Sequence, residues 1–212
     1  MYTPPAYDTA DPELQLQLMK EWSFATLFSQ TDGMPTATHL PILAGRGGKH
    51  GKGVLRTHMA RANPQWKAFE AGARALVVFA GPQAYVPVNW YEDDQTFPTW
   101  NYGAVHATGT VTLEHDPGVL RVLLQDTIAT FDTPPEGPWR MENVDPAKTN
   151  RLLRGIVGLR IELESVEAKL KFNQDKSATD RAQVAARLMD NPATAAAGAF
   201  MQRLDRQTEP AD

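Results

Sequence analysis

Apolar and polar residues change rhythm repeatedly along the chain, and the rhythm predicts mixed elements. Asp11-Pro12-Glu13 reads as a cap, a first-turn proline and a first-turn acid, so a helix is expected to about Glu21. Phe24–Ser29 and Thr36–Leu43 are strand-like runs around the turn-forming Thr31-Asp32-Gly33-Met34-Pro35, which predicts a hairpin. Val54–His58 is a short strand, and Asn63-Pro64 opens a helix that Gly72 ends. The continuous apolar run Ala75–Ala80 predicts a strand buried on both faces, turned by Gly81-Pro82 into a further strand over Ala84–Val88. Pro98–Tyr102 reads as a rigid aromatic connection, and Val105–Leu113 alternates as a long strand. Asp116-Pro117 and Asp145-Pro146 each open a helix, with a proline-rich loop over Thr133–Pro138 between them. Ile156–Leu163 is a strand extending with a bend to Phe172, and Ala178–Met189 is an amphipathic helix. The Ala-rich tail is expected to fray or dock loosely.

Strict βαβ alternation is absent, and so is an all-β pattern. The order predicts an α+β, mainly β fold: a barrel of about six strands flanked by helices. Residues 1–175 would form the barrel domain, and 176–212 a C-terminal helical extension packed on it.

Composition narrows the class. The chain has 212 residues, 42% hydrophobic and 22% charged, which suits one sizeable core. It has no cysteine, which excludes disulfides and thiolate metal sites. Met1–Pro5 carries no leader pattern and no apolar run reaches spanning length, so a cytoplasmic protein with no membrane partner is expected. A net charge of -4 argues against general nucleic-acid binding.

Three clusters could carry chemistry. Thr57-His58-Met59-Ala60-Arg61-Ala62-Asn63-Pro64 lies where a strand meets a helix. Free N–H groups there, with the Arg61 fork, His58 and a capping Asn63, suit a phosphate. Simple capping and solvation would explain the same residues. Asn89-Trp90-Tyr91 and Pro98-Thr99-Trp100-Asn101-Tyr102 combine rings with amides and suit a flat heterocycle, or else a core or an interface. Lys169-Leu170-Lys171-Phe172-Asn173-Gln174 puts two lysines on one strand face, solvated by default. The glycines of the Gly45–Gly53 loop lack nucleotide-loop spacing. The histidines form no metal pattern, and no nucleophile and base pair is evident.

Three strings together resemble the PaiB family of FMN-binding negative transcriptional regulators. They are Thr57–Trp66, Phe79–Val86 running on to Trp90-Tyr91, and Pro98–His106, supported by Lys169-Leu170-Lys171 and the helix from Asp180. The likeness runs in order from Met1 to about Met189, with one departure at Lys171-Phe172-Asn173-Gln174. The resemblance implies a split barrel and a homodimer with FMN at its interface. Thr57, His58, Arg61 and Asn63 would then serve the phosphate junction. Thr38, His39 and Leu40 would offer backbone groups to the flavin ring. Trp100, Asn101, Lys171 and Gln174 would come from the partner subunit. The implied role is regulation, with DNA as a possible partner through Lys148, Arg151, Arg154, Arg160, Lys169, Lys171 and the stretch Arg181–Arg187, although no helix-turn-helix stands out. The alternative is a flavin-dependent oxidoreductase or flavin reductase using NAD(P)H. A third reading is haem, with His39, His58 and His106 available.

Overall fold

The computed structural model describes residues 1–31, 33–92, 95–132, 134, 137 and 139–208. Asp32 and most of the Thr133–Pro138 loop therefore lie outside the described residues. The strands are β1 (Asp8–Thr9), β2 (Phe24–Thr31), β3 (Met34–Pro41), β4 (Leu43–Gly45), β5 (Val54–Ala60), β6 (Arg74–Val86), β7 (Thr99–Glu114) and β8 (Ile156–Lys171). The helices are α1 (Pro12–Glu21), α2 (Pro117–Phe131), α3 (Pro146–Arg154), α4 (Ala178–Met189) and α5 (Ala195–Thr208). Six strands have seven residues or more, and two short ones, β1 and β4, join them.

Two compact units arise from this order. The first holds residues 16–79 and 106–166, and the second holds 1–15, 80–105 and 167–212. β6, β7 and β8 each contribute one end to each unit.

In the first unit the strands follow the order β3-β2-β6-β7-β8-β5-β4. β2 and β3 form the expected antiparallel hairpin, from Phe24 opposite Pro41 to Thr31 opposite Met34. β2 also pairs antiparallel with β6, and β5 with β8. The Thr57 hydroxyl donates to the Pro41 carbonyl at 2.7 Å, so a side chain joins β5 to the end of β3. β7 and β8 approach so closely that a Cβ at Gly109 would lie 2.2 Å from the Glu162 carbonyl oxygen. α2 seats Leu120 and Leu123 against Gly158 of β8, where a Cβ would meet Leu120 at 2.9 Å. Full burial of such a leucine contributes roughly 1.5–3 kcal/mol.

The aspartate-proline signals were informative. Asp11, Asp116 and Asp145 each accept a backbone N–H in the first turn of α1, α2 and α3. Other expectations need correction. The segment after Asn63 is a 3-10 helix, Pro64–Phe69. β6 runs unbroken through Gly81-Pro82, since a proline is tolerated in a strand where its missing N–H is not needed by the ladder. β6 also buries only one face fully: Ala75, Val77 and Phe79 are buried, while Leu76 and Val78 are half-buried. The aromatic segment from Thr99 to Tyr102 opens β7 instead of connecting to it.

In the second unit, β1 pairs with the end of β8, Asp8 opposite Lys169. Ser177 and Asp180 cap α4 reciprocally: the Asp180 N–H donates to the Ser177 hydroxyl, which donates to the Asp180 carboxylate. The Ala-rich tail is the helix α5, which buries Ala197, Phe200 and Met201. Alanine is the best helix former, and small residues admit close packing. A Cβ at Gly198 would stand 2.6 Å from the Ala185 carbonyl of α4. Phe200 also packs on Phe172, with ring centres 4.8 Å apart.

Candidate functional site

The expected site residues fall into one group in each unit. In the first unit the strand-to-helix junction is built around Gln65, which is buried to 2% exposure. Its Nε2 donates to the carbonyls of Leu27 and Thr36 and to the Ser29 hydroxyl, each at 3.1 Å. Its Oε1 accepts from the Thr38 hydroxyl. Asn63 caps the turn through the Gln65 N–H at 3.0 Å and donates its Nδ2 to Thr38 Oγ1 at 3.0 Å. Gln65 therefore fastens the junction to both strands of the β2–β3 hairpin. The sequence reading passed over it. A glutamine two positions after a cap carries no local signal, because its four partners lie 27 to 38 residues away.

β3 ends the strand order, so the side of it away from β2 carries no further ladder among the described residues. His39 is exposed on this strand and bonds Thr26 Oγ1 through Nδ1 at 2.9 Å. Its ring stacks near that of Phe24, which is 69% exposed. Leu40 points into the core. Thr57 is buried and commits its hydroxyl to Pro41. His58 is half-buried, and burial pushes its imidazole below the ordinary value, so it is neutral at pH 7.

Arg61 is exposed and extends along the α3–β8 corner. Its Nε donates to the Arg154 carbonyl at 2.9 Å, and one Nη donates to the Ile156 carbonyl at 2.8 Å. Both Nη atoms stand 3.4 Å from His115 Nδ1. A guanidinium has five N–H donors, so one remains after these four contacts are made. Trp66 closes the loop by donating Nε1 to the Arg61 carbonyl at 2.9 Å, and its ring meets His115 edge-on. The junction thus holds a fixed cation with a spare donor, beside a strand edge and an exposed aromatic pair. That arrangement can hold a phosphate joined to a flat ring.

In the second unit Trp100 is half-exposed and packs edge-on with Tyr85, ring centres 6.0 Å apart. Asn101 is fully buried. Its Nδ2 donates to Asn173 Oδ1 and to Met201 Sδ, while its Oδ1 has no donor. Asn173 adopts the left-handed backbone, φ 64°, and donates to the Tyr91 hydroxyl at 2.7 Å. Lys171 donates to the Thr99 hydroxyl. Thr99, Asn101, Lys171 and Asn173 line a cavity of about 210 Å³ with Thr96, Lys176 and the carboxylate of Asp175. Gln174 stays local, accepting from the Phe172 N–H and donating to the Leu170 carbonyl. Lys169 is buried under the rings of Tyr2 and Tyr102, against the expectation of a solvated face. An orphaned buried acceptor, two threonine hydroxyls, and two lysines against the one carboxylate of Asp175 fit a polar ligand that both donates and carries a negative charge.

The family model described as "Putative FMN-binding domain" matches residues 1–165. The chain is 34% identical, over 91% of its length and 92% of the relative's, to the Bacillus subtilis "Protease synthase and sporulation protein PAI 2". Among solved structures it is similar to a flavocytochrome of Azotobacter vinelandii, with TM-score 0.61 and 16% identity over 83% of this chain and 75% of that one. It is also similar to an FAD and heme binding protein of Mycobacterium smegmatis, with TM-score 0.54 and 21% identity over 82% and 77%.

Proposed function

The chain belongs to the PaiB family of FMN-binding proteins, and from that premise we propose how it holds its cofactor and what it does with it. FMN is the cofactor, and the fold is that of the split-barrel flavoproteins. The flavin phosphate binds at the junction, on the Arg61 guanidinium beside Asn63, with neutral His58 and Thr57 behind it. The ring lies along β3 at Thr38, His39 and Leu40. Trp100, Asn101 and Lys171 come from a second copy, which makes the working form a homodimer. The observation that carries this reading is the Gln65 network, which fixes β3 and the phosphate junction in one frame. A ligand with a phosphate at one end and a ring at the other needs that frame.

When bound, FMN supplies redox chemistry in one- or two-electron steps. The protein acts in the cytoplasm as a negative regulator of transcription, with FMN as its sensing ligand. The name of the Bacillus subtilis relative ties it to protease synthesis and sporulation, which fits a regulatory role. The exposed Lys148, Arg151 and Arg154 of α3 are the cations available for DNA. Arg160 and Arg181 are already paired with Glu162 and Asp205.

The test is an FMN titration of the purified protein, followed by anaerobic NAD(P)H, with the mass in solution measured by light scattering. Stoichiometric binding to a dimer without bleaching, together with a salt-sensitive DNA shift, supports the regulator. Rapid bleaching replaces it with the oxidoreductase. A mixture of R61A and K171A subunits that recovers FMN binding supports the shared site, and a monomer that binds FMN overturns it.

A further inference from the structure

A second cavity lies in the first unit, and none of the residues that line it is assigned to FMN. It has a volume of about 460 Å³, within the range of small-molecule sites. The end of α1, β4, β5 and the last turn of α2 enclose it. Its charged groups are Lys20, Arg56 and Asp126. Its apolar wall includes Ile42, Leu43 and the partly exposed ring of Phe131.

Two cations face one carboxylate, so the lining carries a net positive charge. Arg56 Nη1 donates to Asp126 Oδ2 at 2.7 Å, the one hydrogen bond of its guanidinium among the described residues. Four donors of the planar fork are left for a second acceptor. Both partners are about 40% exposed, so the bridge is wet and weak enough to share or open.

We propose that this cavity is a second ligand site, taking a compact amphipathic monocarboxylate. The carboxylate sits on the Arg56 fork with Lys20 beside it, and an aryl or branched alkyl body lies on Ile42, Leu43 and Phe131. Asp126 holds Arg56 in place and rejects ligands with a second negative charge. An amine of the same shape meets two cations and is excluded, and a neutral amide loses the charge-assisted bonds.

Benzoate, benzamide and benzylamine are the probes, titrated calorimetrically into the FMN-loaded protein while the flavin spectrum is recorded. Benzoate should bind one to one with a Kd at or below about 1 mM. Benzamide and benzylamine should bind at least roughly tenfold more weakly, the loss of one charge-assisted contact. Arg56→Gln should weaken benzoate by a similar factor, and Asp126→Asn should tighten it by freeing the fork. Lys20→Glu, at an exposed helix end, should weaken it without threatening the fold. The flavin spectrum should not change. No binding of benzoate, equal binding of benzylamine, or a benzoate-induced flavin shift would each overturn the proposal. None of these results bears on how FMN itself is held.

Discussion

Replacing Gln65 by leucine removes four polar contacts and keeps the volume nearly constant. The Leu27 carbonyl is a buried partner, and leaving it unsatisfied costs about 1–3 kcal/mol. Ser29 Oγ, the Thr36 carbonyl and the Thr38 hydroxyl are part-buried, so water can replace the lost bonds at a few tenths to about 1 kcal/mol each. The sum is about 2–6 kcal/mol, which for a chain of this length lowers Tm by about 4–24 °C. Thermal denaturation by circular dichroism, with and without FMN, measures it. Gln65→Leu should also weaken FMN binding, because β3 is no longer held against the junction. Gln65→Glu should be worse than Gln65→Leu, since a carboxylate would face two carbonyl oxygens. A Gln65→Leu protein that melts within about 2 °C of wild type and keeps its FMN affinity would refute the idea that one buried amide sets the frame of the site.

Arg61→Ala should weaken FMN binding more than tenfold, about 1.5–3 kcal/mol for a charge-assisted contact. It should also lower Tm, because the Arg154 and Ile156 carbonyls lose their donor. Unchanged FMN affinity would sink the phosphate assignment. Burial depresses the His58 pKa below the 6.5 of the unfolded chain, so below that pH the unfolded state binds more protons. Stability should therefore be full above about pH 6.5 and fall as the pH drops toward the lower folded value, and His58→Gln should flatten that part of a Tm–pH profile. Asn173→Ala and Asn173→Gly both lose the bonds to Asn101 and Tyr91, but only alanine is strained at φ 64°. Alanine should be less stable by about 1–2 kcal/mol in urea denaturation, and equal stability would contradict the backbone argument.

Local chemistry made much of this fold legible. Aspartate-proline pairs marked three helix starts, because capping needs only residues within one turn. The hairpin of β2 and β3 followed from two apolar runs around a turn. The junction at Thr57–Pro64 stood out because donors cluster there in consecutive positions. The long-range decisions were not legible. Whether Gly81-Pro82 turns the chain depends on what the neighbouring strand asks of the proline nitrogen, not on the dipeptide. The Ala-rich tail becomes a buried helix because α4 offers Gly198 a place to approach Ala185. Lys169 was expected in water, and only the placing of Tyr2 and Tyr102 around it buries it.

The same division holds for the site. Which residue types gather at the junction, and which family they resemble, can be read along the chain, since motif identity is a property of sequence neighbours. Only the tertiary structure decided that Gln65 holds the junction to the hairpin, that Arg61 divides its donors between the α3–β8 corner and open space, and that His58 is kept neutral. The physical reason is that hydrogen-bond partners and desolvation depend on what packs in three dimensions. Partners 27 to 95 residues apart leave no periodicity in the sequence from which they could be read.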